Sequence, residues 1–234
     1  MGIKIETSYK GLPIRASSNL HEECISMIKA LALSDKANVL DVGAGEGAFS
    51  KRLMDLGYRV TAVEREVGRY QCNAPCYNVD LNLDFAQQWL NTFDLIVATE
   101  IIEHINNPRH FINNCLRTLK NNGWLVVTSP NLESWLSRLT FLRTGRFIWF
   151  SEEDYQSIGH ITPIFSWQMR QICHELRADL VKVGNTNNRY MWKMIGDTPL
   201  DILKSKAFYM GMFYPLMRSK KDGEINIFLI RKSA

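Results

Sequence analysis

Asn38-Val39-Leu40-Asp41-Val42-Gly43-Ala44-Gly45-Glu46-Gly47-Ala48-Phe49 reads as a buried strand running into a glycine turn and then a helix. Val39, Leu40 and Val42 form the short apolar run expected of a strand covered on both faces of a parallel sheet. Three glycines in five positions let the backbone turn tightly and approach a ligand closely. The helix that follows, at about 47–56, points its free N–H groups and positive dipole end at whatever occupies the turn. Gly43-Ala44-Gly45-Glu46-Gly47-Ala48 also satisfies the dinucleotide fingerprint with alanine in the last place. Taken alone, the turn is compatible with nicotinamide, flavin and other adenosine-containing cofactors.

Working outward, Leu20, Cys24, Ile25, Met27, Ile28, Leu31 and Leu33 recur near helical spacing and predict a first helix, preceded by an irregular leader at 9–19. Arg59-Val60-Thr61-Ala62-Val63-Glu64 is a second strand, and Ala74-Pro75-Cys76-Tyr77-Asn78-Val79-Asp80 holds a short third. Phe93-Asp94-Leu95-Ile96-Val97-Ala98 is a fourth, Pro108 opens a helix reaching about Leu119, and Gly123 to Ser129 makes a fifth. Repeated alternation of strand and helix implies right-handed crossovers and a parallel sheet with ligands at the carboxyl ends of its strands. Beyond Pro130 the rhythm breaks. Residues 131–163 are rich in Trp, Phe and Arg, and a segment of that length suits a lid or substrate-binding insertion. A helix at about 165–176 and strands at about 179–184 and 225–230 restore the pattern around a second insertion at about 186–222. That insertion carries an amphipathic stretch ending in Phe208, Tyr209, Phe213 and Met217 ahead of Arg218 and Lys220. The expectation is one domain over residues 1–234, with the two insertions forming a substrate lid.

A formal net charge of +4, with basic residues spread out apart from Arg143, Arg146 and the Arg218, Lys220, Lys221 group, argues against a nucleic-acid footprint. Five scattered cysteines, Cys24, Cys72, Cys76, Cys115 and Cys173, lack metal-ligand spacing and suit reduced thiols in a cytoplasmic protein. No run approaches the ~20 apolar residues of a spanning helix.

The acids at the strand ends discriminate among the cofactors. Glu64 lies 21 positions past Gly43 at the tip of the second strand, where a carboxylate can take ribose hydroxyls. Asp41 just before the glycines, and Asp80 followed by Leu81 at the tip of the third strand, fit a nicotinamide dinucleotide less well. Together with Phe93-Asp94-Leu95-Ile96-Val97-Ala98-Thr99-Glu100-Ile101-Ile102-Glu103-His104-Ile105 and the segment Leu119 to Asn131, these motifs resemble the class I S-adenosylmethionine-dependent methyltransferases. The resemblance is close over about 20–131 and loose elsewhere. It implies an α/β, Rossmann-like, doubly wound sheet, mostly parallel with an antiparallel last strand and helices on both faces. By the same resemblance, Asp41, Gly43, Ala44 and Gly45 would hold the methionine end of S-adenosylmethionine, Glu64 the ribose, Asp80 with Leu81 the adenine, and Thr99 would complete the cofactor wall.

Glu100-Ile101-Ile102-Glu103-His104 follows the fourth strand at the edge of the expected cleft, and the resemblance admits two meanings. In many relatives the acid–histidine pair completes the active-site wall, and His104 is a general base for an acceptor hydroxyl or amine. In ubiquinone-pathway O-methyltransferases and small-RNA 2′-O-methyltransferases, an E-x-x-E-H pattern of this kind binds a divalent cation. Glu100, Glu103 and His104 would then hold Mg²⁺ or Mn²⁺, with His160 of Gly159-His160-Ile161 as a further ligand or a second base. A purely structural wall remains the third reading.

The expected activity is methyl transfer from S-adenosylmethionine to an oxygen, with nitrogen as the less favoured atom, on a small molecule, sugar or glycolipid. The 131–163 insertion resembles, loosely, those of bacterial methyltransferases that accompany polysaccharide and natural-product synthesis. Aromatics beside Arg143 and Arg146 suggest peripheral contact with a membrane surface. The alternatives are a small-RNA 2′-O-methyltransferase, a nicotinamide oxidoreductase, and a methyltransferase fold kept as a non-catalytic binding subunit.

Overall fold

A computed structural model describes residues 7–17, 19–186 and 223–233. The second insertion, with its amphipathic stretch, lies outside them except for residue 186. The chain opens with a small hairpin, β1 (Ser8–Tyr9) and β2 (Leu12–Pro13), where the sequence suggests an irregular leader. Gly11, at φ 85°, turns it. Then follow α1 (Leu20–Lys29), β3 (Asn38–Val42), α2 (Ala48–Asp55), β4 (Arg59–Glu64), β5 (Cys76–Asn78) and β6 (Phe93–Ala98). The second half runs α3 (Pro108–Thr118), β7 (Leu119–Pro130), α4 (Trp135–Thr144), α5 (Glu152–Ile158), α6 (Ser166–Glu175), β8 (Ala178–Asn185) and β9 (Ile225–Lys232).

Seven strands form one sheet in the order β5-β4-β3-β6-β7-β9-β8. The pairs from β5 to β7 are parallel, and β9 runs antiparallel to both of its neighbours. Chain order reverses between β3 and β6, and the crevice at their carboxyl ends is where such sheets bind ligands.

Alternation along each strand divides the core in two. Leu40, Val42, Ile96, Ala98, Leu125, Val127, Phe228 and Ile230 pack with Phe111 and Ile112 of α3 and Met169 and Ile172 of α6. Val39, Leu95, Val97, Val126, Ile227 and Leu229 pack on the opposite face with Leu20, Cys24 and Ile28 of α1 and Phe49 and Leu53 of α2. Both faces are buried under helices, which is why the central strands read as continuous apolar runs. Truncating Leu40 or Ile96 to alanine would cost about 2–5 kcal/mol.

Differences from the sequence reading lie at edges. β7 starts at Leu119 rather than Gly123, because the chain pairs Leu119 with Phe93 and then bulges before Trp124 meets Leu95. Asn122, at φ 61°, and Gly123 form that bulge. The 131–163 insertion contains no strand but two helices, α4 and α5. Helix α5 is fixed by a capping box in which Ser151 and Asp154 exchange hydrogen bonds.

Candidate active site

The glycine turn closes on β4 before any ligand is considered. The Gly43 and Ala44 amides donate to the Val63 carbonyl at 2.9 and 3.2 Å. The Gly45 amide donates to Glu64 Oε2 at 2.8 Å, while Glu64 Oε1 accepts from the Arg65 and Glu66 amides. Three backbone donors therefore hold the Glu64 carboxylate at the mouth of the turn, and the remaining lone pair of Oε2 is available to a ribose hydroxyl.

Two glycines have different reasons to be glycine. A Cβ on Gly43, at φ 72°, would lie 2.8 Å from Cδ1 and Cγ1 of Ile101, so the segment after β6 rests directly on the turn. A Cβ on Gly45, at φ 54°, would meet nothing within 4 Å. That open space beside exposed backbone is the cradle a close-lying cofactor needs.

Asp41 is fully buried beneath the turn. Its Oδ2 accepts from Ser50 Oγ of α2 at 2.5 Å, and Oδ1 has no partner. Burial pushes its carboxyl up to about 6, the Ser50 hydroxyl opposing and the nearby Glu64 charge adding to that rise. A buried carboxylate with one vacant oxygen suits the ammonium of a methionine moiety. Asp80 is exposed at the end of the short third strand, its Oδ1 accepting from the Asn82 amide. Leu81, the other residue expected at the adenine, is 8% exposed and packs at the edge of the core with Val79 and Phe85. Thr99 follows β6 directly and is partly buried.

The E-x-x-E-H element divides. Glu103, His104 and His160 each place a ligand atom within 4.8 Å of the others. Glu100, expected beside them, is not part of this trio. Its residue sits at φ 49°, its amide donates to Thr128 Oγ1, and its carboxylate accepts from the Ser17 amide at 2.8 Å and the Ser17 hydroxyl at 3.3 Å. Burial pushes that carboxyl up to about 7, the Ser17 hydrogen bonds opposing.

Local backbone bonds assemble the trio. Helix α5 ends at Gly159 in the left-handed conformation, and the Ile161 and Thr162 amides both donate to the Glu103 carbonyl at 3.0 Å. Thr162 Oγ1 donates to the Ile105 carbonyl. The insertion is thereby stitched to the chain after β6, which puts His160 beside His104 with ring centroids 4.9 Å apart. His104 Nδ1 faces the Gly159 carbonyl at 3.1 Å, and His160 Nδ1 faces the Trp149 carbonyl at 2.9 Å. A carbonyl only accepts, so each Nδ1 carries the proton and each neutral ring keeps its lone pair on Nε2. Burial lowers the pKa of both rings, opposed by those carbonyls, and favours the neutral form. Glu103 is fully buried with neither carboxylate oxygen hydrogen-bonded, and burial raises its pKa well above the usual carboxylate range.

A carboxylate and two imidazole nitrogens form a donor set suited to a divalent cation, and the unsatisfied oxygens of Glu103 fit such a group. The roles of Ser17, Ser50, Ile101 and Thr128 are not legible in the sequence, because each depends on a partner brought close only by the fold.

The methyltransferase domain family matches residues 17–178 of this chain. The ubiquinone biosynthesis O-methyltransferase of Glaesserella parasuis is 29% identical over 126 residues, covering 46% of this chain and 53% of that protein. Its counterpart in Xanthomonas oryzae is 33% identical over 104 residues, covering 41% and 44%. The chain thus spans about half the length of these relatives. Among solved structures, a SAM-dependent methyltransferase from Archaeoglobus fulgidus superposes with TM-score 0.60 at 15% identity, covering 91% of this chain and 94% of that one. Phosphoethanolamine N-methyltransferase 2 of Haemonchus contortus, solved with S-adenosylmethionine, gives 0.57 at 14%, covering 91% and 53%. Strand order, glycine turn, acids at the strand tips and family match agree: the chain belongs to the class I S-adenosylmethionine-dependent methyltransferases.

Proposed function

We propose that this chain transfers the methyl group of S-adenosylmethionine to a hydroxyl oxygen of a small-molecule, sugar or glycolipid acceptor. The S–CH₃ bond breaks as the O–CH₃ bond forms, the sulfur leaves as a neutral thioether, and the acceptor proton passes to a base. Because the donor is already activated, the protein's tasks are alignment and proton removal. The observation that carries the reading is the pair of neutral imidazoles, His104 and His160, in the segment after β6 and the insertion bonded to it, each with Nδ1 against a backbone carbonyl and its lone pair on Nε2. Glu103, His104 and His160 would also hold Mg²⁺ or Mn²⁺, which when bound would acidify an acceptor hydroxyl. O-methyltransferase relatives support oxygen as the acceptor atom.

The surface of α4 supports a lipid-linked acceptor. Leu139, Phe141 and Leu142 are 39%, 43% and 77% exposed beside Arg143 and Arg146. Phe141 stacks on Phe147 at 4.6 Å, and Phe150 lies 5.5 Å from His160. Apolar side chains flanked by arginine suit the edge of an anionic bilayer. No helix among the described residues is long and apolar enough to cross a membrane. Co-sedimentation with anionic vesicles, lost in Phe141→Ser and Leu142→Ser, is the expected result; equal sedimentation of the variants would remove the membrane element.

Tritium transfer from labelled S-adenosylmethionine into fractionated extract, with and without chelator, tests the reaction itself. Label is expected in the small-molecule or lipid fraction and reduced by chelator. Label in RNA would favour the 2′-O-methyltransferase alternative, and no label a binding subunit.

A further inference from the structure

Residues 7–17 are fastened to both lips of the cofactor crevice. On the β3 side, Arg15 Nε donates to Glu46 Oε1 at 2.6 Å, with a second guanidinium nitrogen at the same distance, and Glu46 lies between Gly45 and Gly47 of the turn. On the β6 side, Ser17 gives both its amide and its hydroxyl to Glu100. Further out, Tyr9 donates to Asp55 of α2 at 2.9 Å, Lys10 pairs with the same carboxylate at 2.8 Å, and the Arg52 guanidinium lies 4.0 Å from the Tyr9 ring centroid. Residues 15–17 therefore step from the end of β3 to the end of β6, the two strands between which the crevice opens.

We infer that residues 7–17 form a strap that retains the cofactor, and that Glu100 is its latch, a positioning residue and not a cation ligand. The inference rests on the reading of this crevice as the S-adenosylmethionine site. Glu100 commits one carboxylate oxygen to the Ser17 amide and the other to the Ser17 hydroxyl, while its own amide is held by Thr128. Glu103, His104 and His160 gather without it. The acid that the E-x-x-E-H pattern offers to a metal is therefore spent on an arm of the chain more than eighty residues earlier. The outer contacts at Asp55 keep the strap anchored when the inner ones release, so it opens as a hinge at its Arg15 to Ser17 end.

The test is the dissociation rate of S-adenosylhomocysteine by stopped-flow, together with Mn²⁺ affinity by electron paramagnetic resonance, on the full chain. Glu100→Gln, Arg15→Ala and Ser17→Pro are each expected to release S-adenosylhomocysteine about tenfold faster, the loss of one charge-assisted contact, with Mn²⁺ affinity unchanged. Glu103→Gln is the converse control, losing Mn²⁺ without faster release. The inference is overturned if Glu100→Gln weakens Mn²⁺ as much as Glu103→Gln does, or if all three strap variants release at the wild-type rate. Wild-type protein that binds no Mn²⁺ would sink the cation reading but leave the release rates to decide the strap. Wild-type protein that binds no S-adenosylhomocysteine would overturn the cofactor reading and the strap with it.

Discussion

His104 and His160 stand edge to face, with ring centroids 4.9 Å apart, 73° between their planes, and each Nδ1 against a backbone carbonyl. Neither ring is free to change tautomer without losing that bond, so each keeps its lone pair on Nε2. Substitution of either by alanine should lower kcat about 10²-fold, the usual worth of a positioned proton acceptor, with little change in S-adenosylhomocysteine affinity. Steady-state kinetics and calorimetry on the same variants check both halves. Since burial sets both pKa values below the ordinary 6.5, the acid limb of kcat/KM should lie below that value. Stability carries the same sign: present above 6.5, it declines as pH falls and the unfolded chain takes up the protons.

Glu103 behaves oppositely. Its folded pKa is raised, so its contribution to stability is fully present below the ordinary value of 4.5 and is lost as pH rises through the folded pKa. In metal-free protein, Glu103→Gln should therefore raise Tm at alkaline pH, and in the presence of Mn²⁺ it should lower turnover by removing one ligand of the cation. Differential scanning fluorimetry across pH, beside a turnover assay, measures the pair. A Tm fall at high pH would show that the buried carboxylate is not the strained group its surroundings suggest.

Asp41 joins cofactor binding to pH. Raised to about 6 from the ordinary 3.8, it lowers the stability of the empty protein as pH climbs through about 6. A cofactor ammonium would reverse that penalty by pairing with the ionised form, so affinity for S-adenosylhomocysteine should fall as pH drops below about 6. Asp41→Asn should weaken binding by about tenfold or more at neutral pH and flatten this dependence, measured by isothermal titration from acid to neutral buffer.

The two glycines should separate in mutagenesis. Gly43→Ala drives a methyl group into Ile101 at a left-handed φ, and should destabilise the fold by about 2–4 kcal/mol in chemical denaturation. Gly45→Ala meets open space and suffers only its φ of 54°, about 1 kcal/mol, yet should weaken the cofactor more than Gly43→Ala weakens what remains folded.

Arg59–Glu64 and Phe93–Ala98 have the bounds read from sequence, because a strand buried on both faces writes its burial as an unbroken apolar run. The turn at Gly43 to Gly47, the proline at 108 that opens α3, and the alternation that dictates a parallel sheet are likewise local properties. Other features had no local signature. The pairing of Glu100 with Ser17 spans 83 positions, and that of His104 with Gly159 spans 55. Periodicity cannot see such bonds; backbone carbonyls and amides of remote segments make them only once the sheet has brought its strand ends together. The sequence by itself determined the sheet, the cofactor turn and the residue types available for chemistry. The tertiary structure alone decided that Leu81 would pack at the edge of the core and that Glu100 would turn to the amino-terminal arm. It also decided that Glu103, His104 and His160 would meet, since the direction a side chain faces is set by which remote donor or acceptor satisfies it.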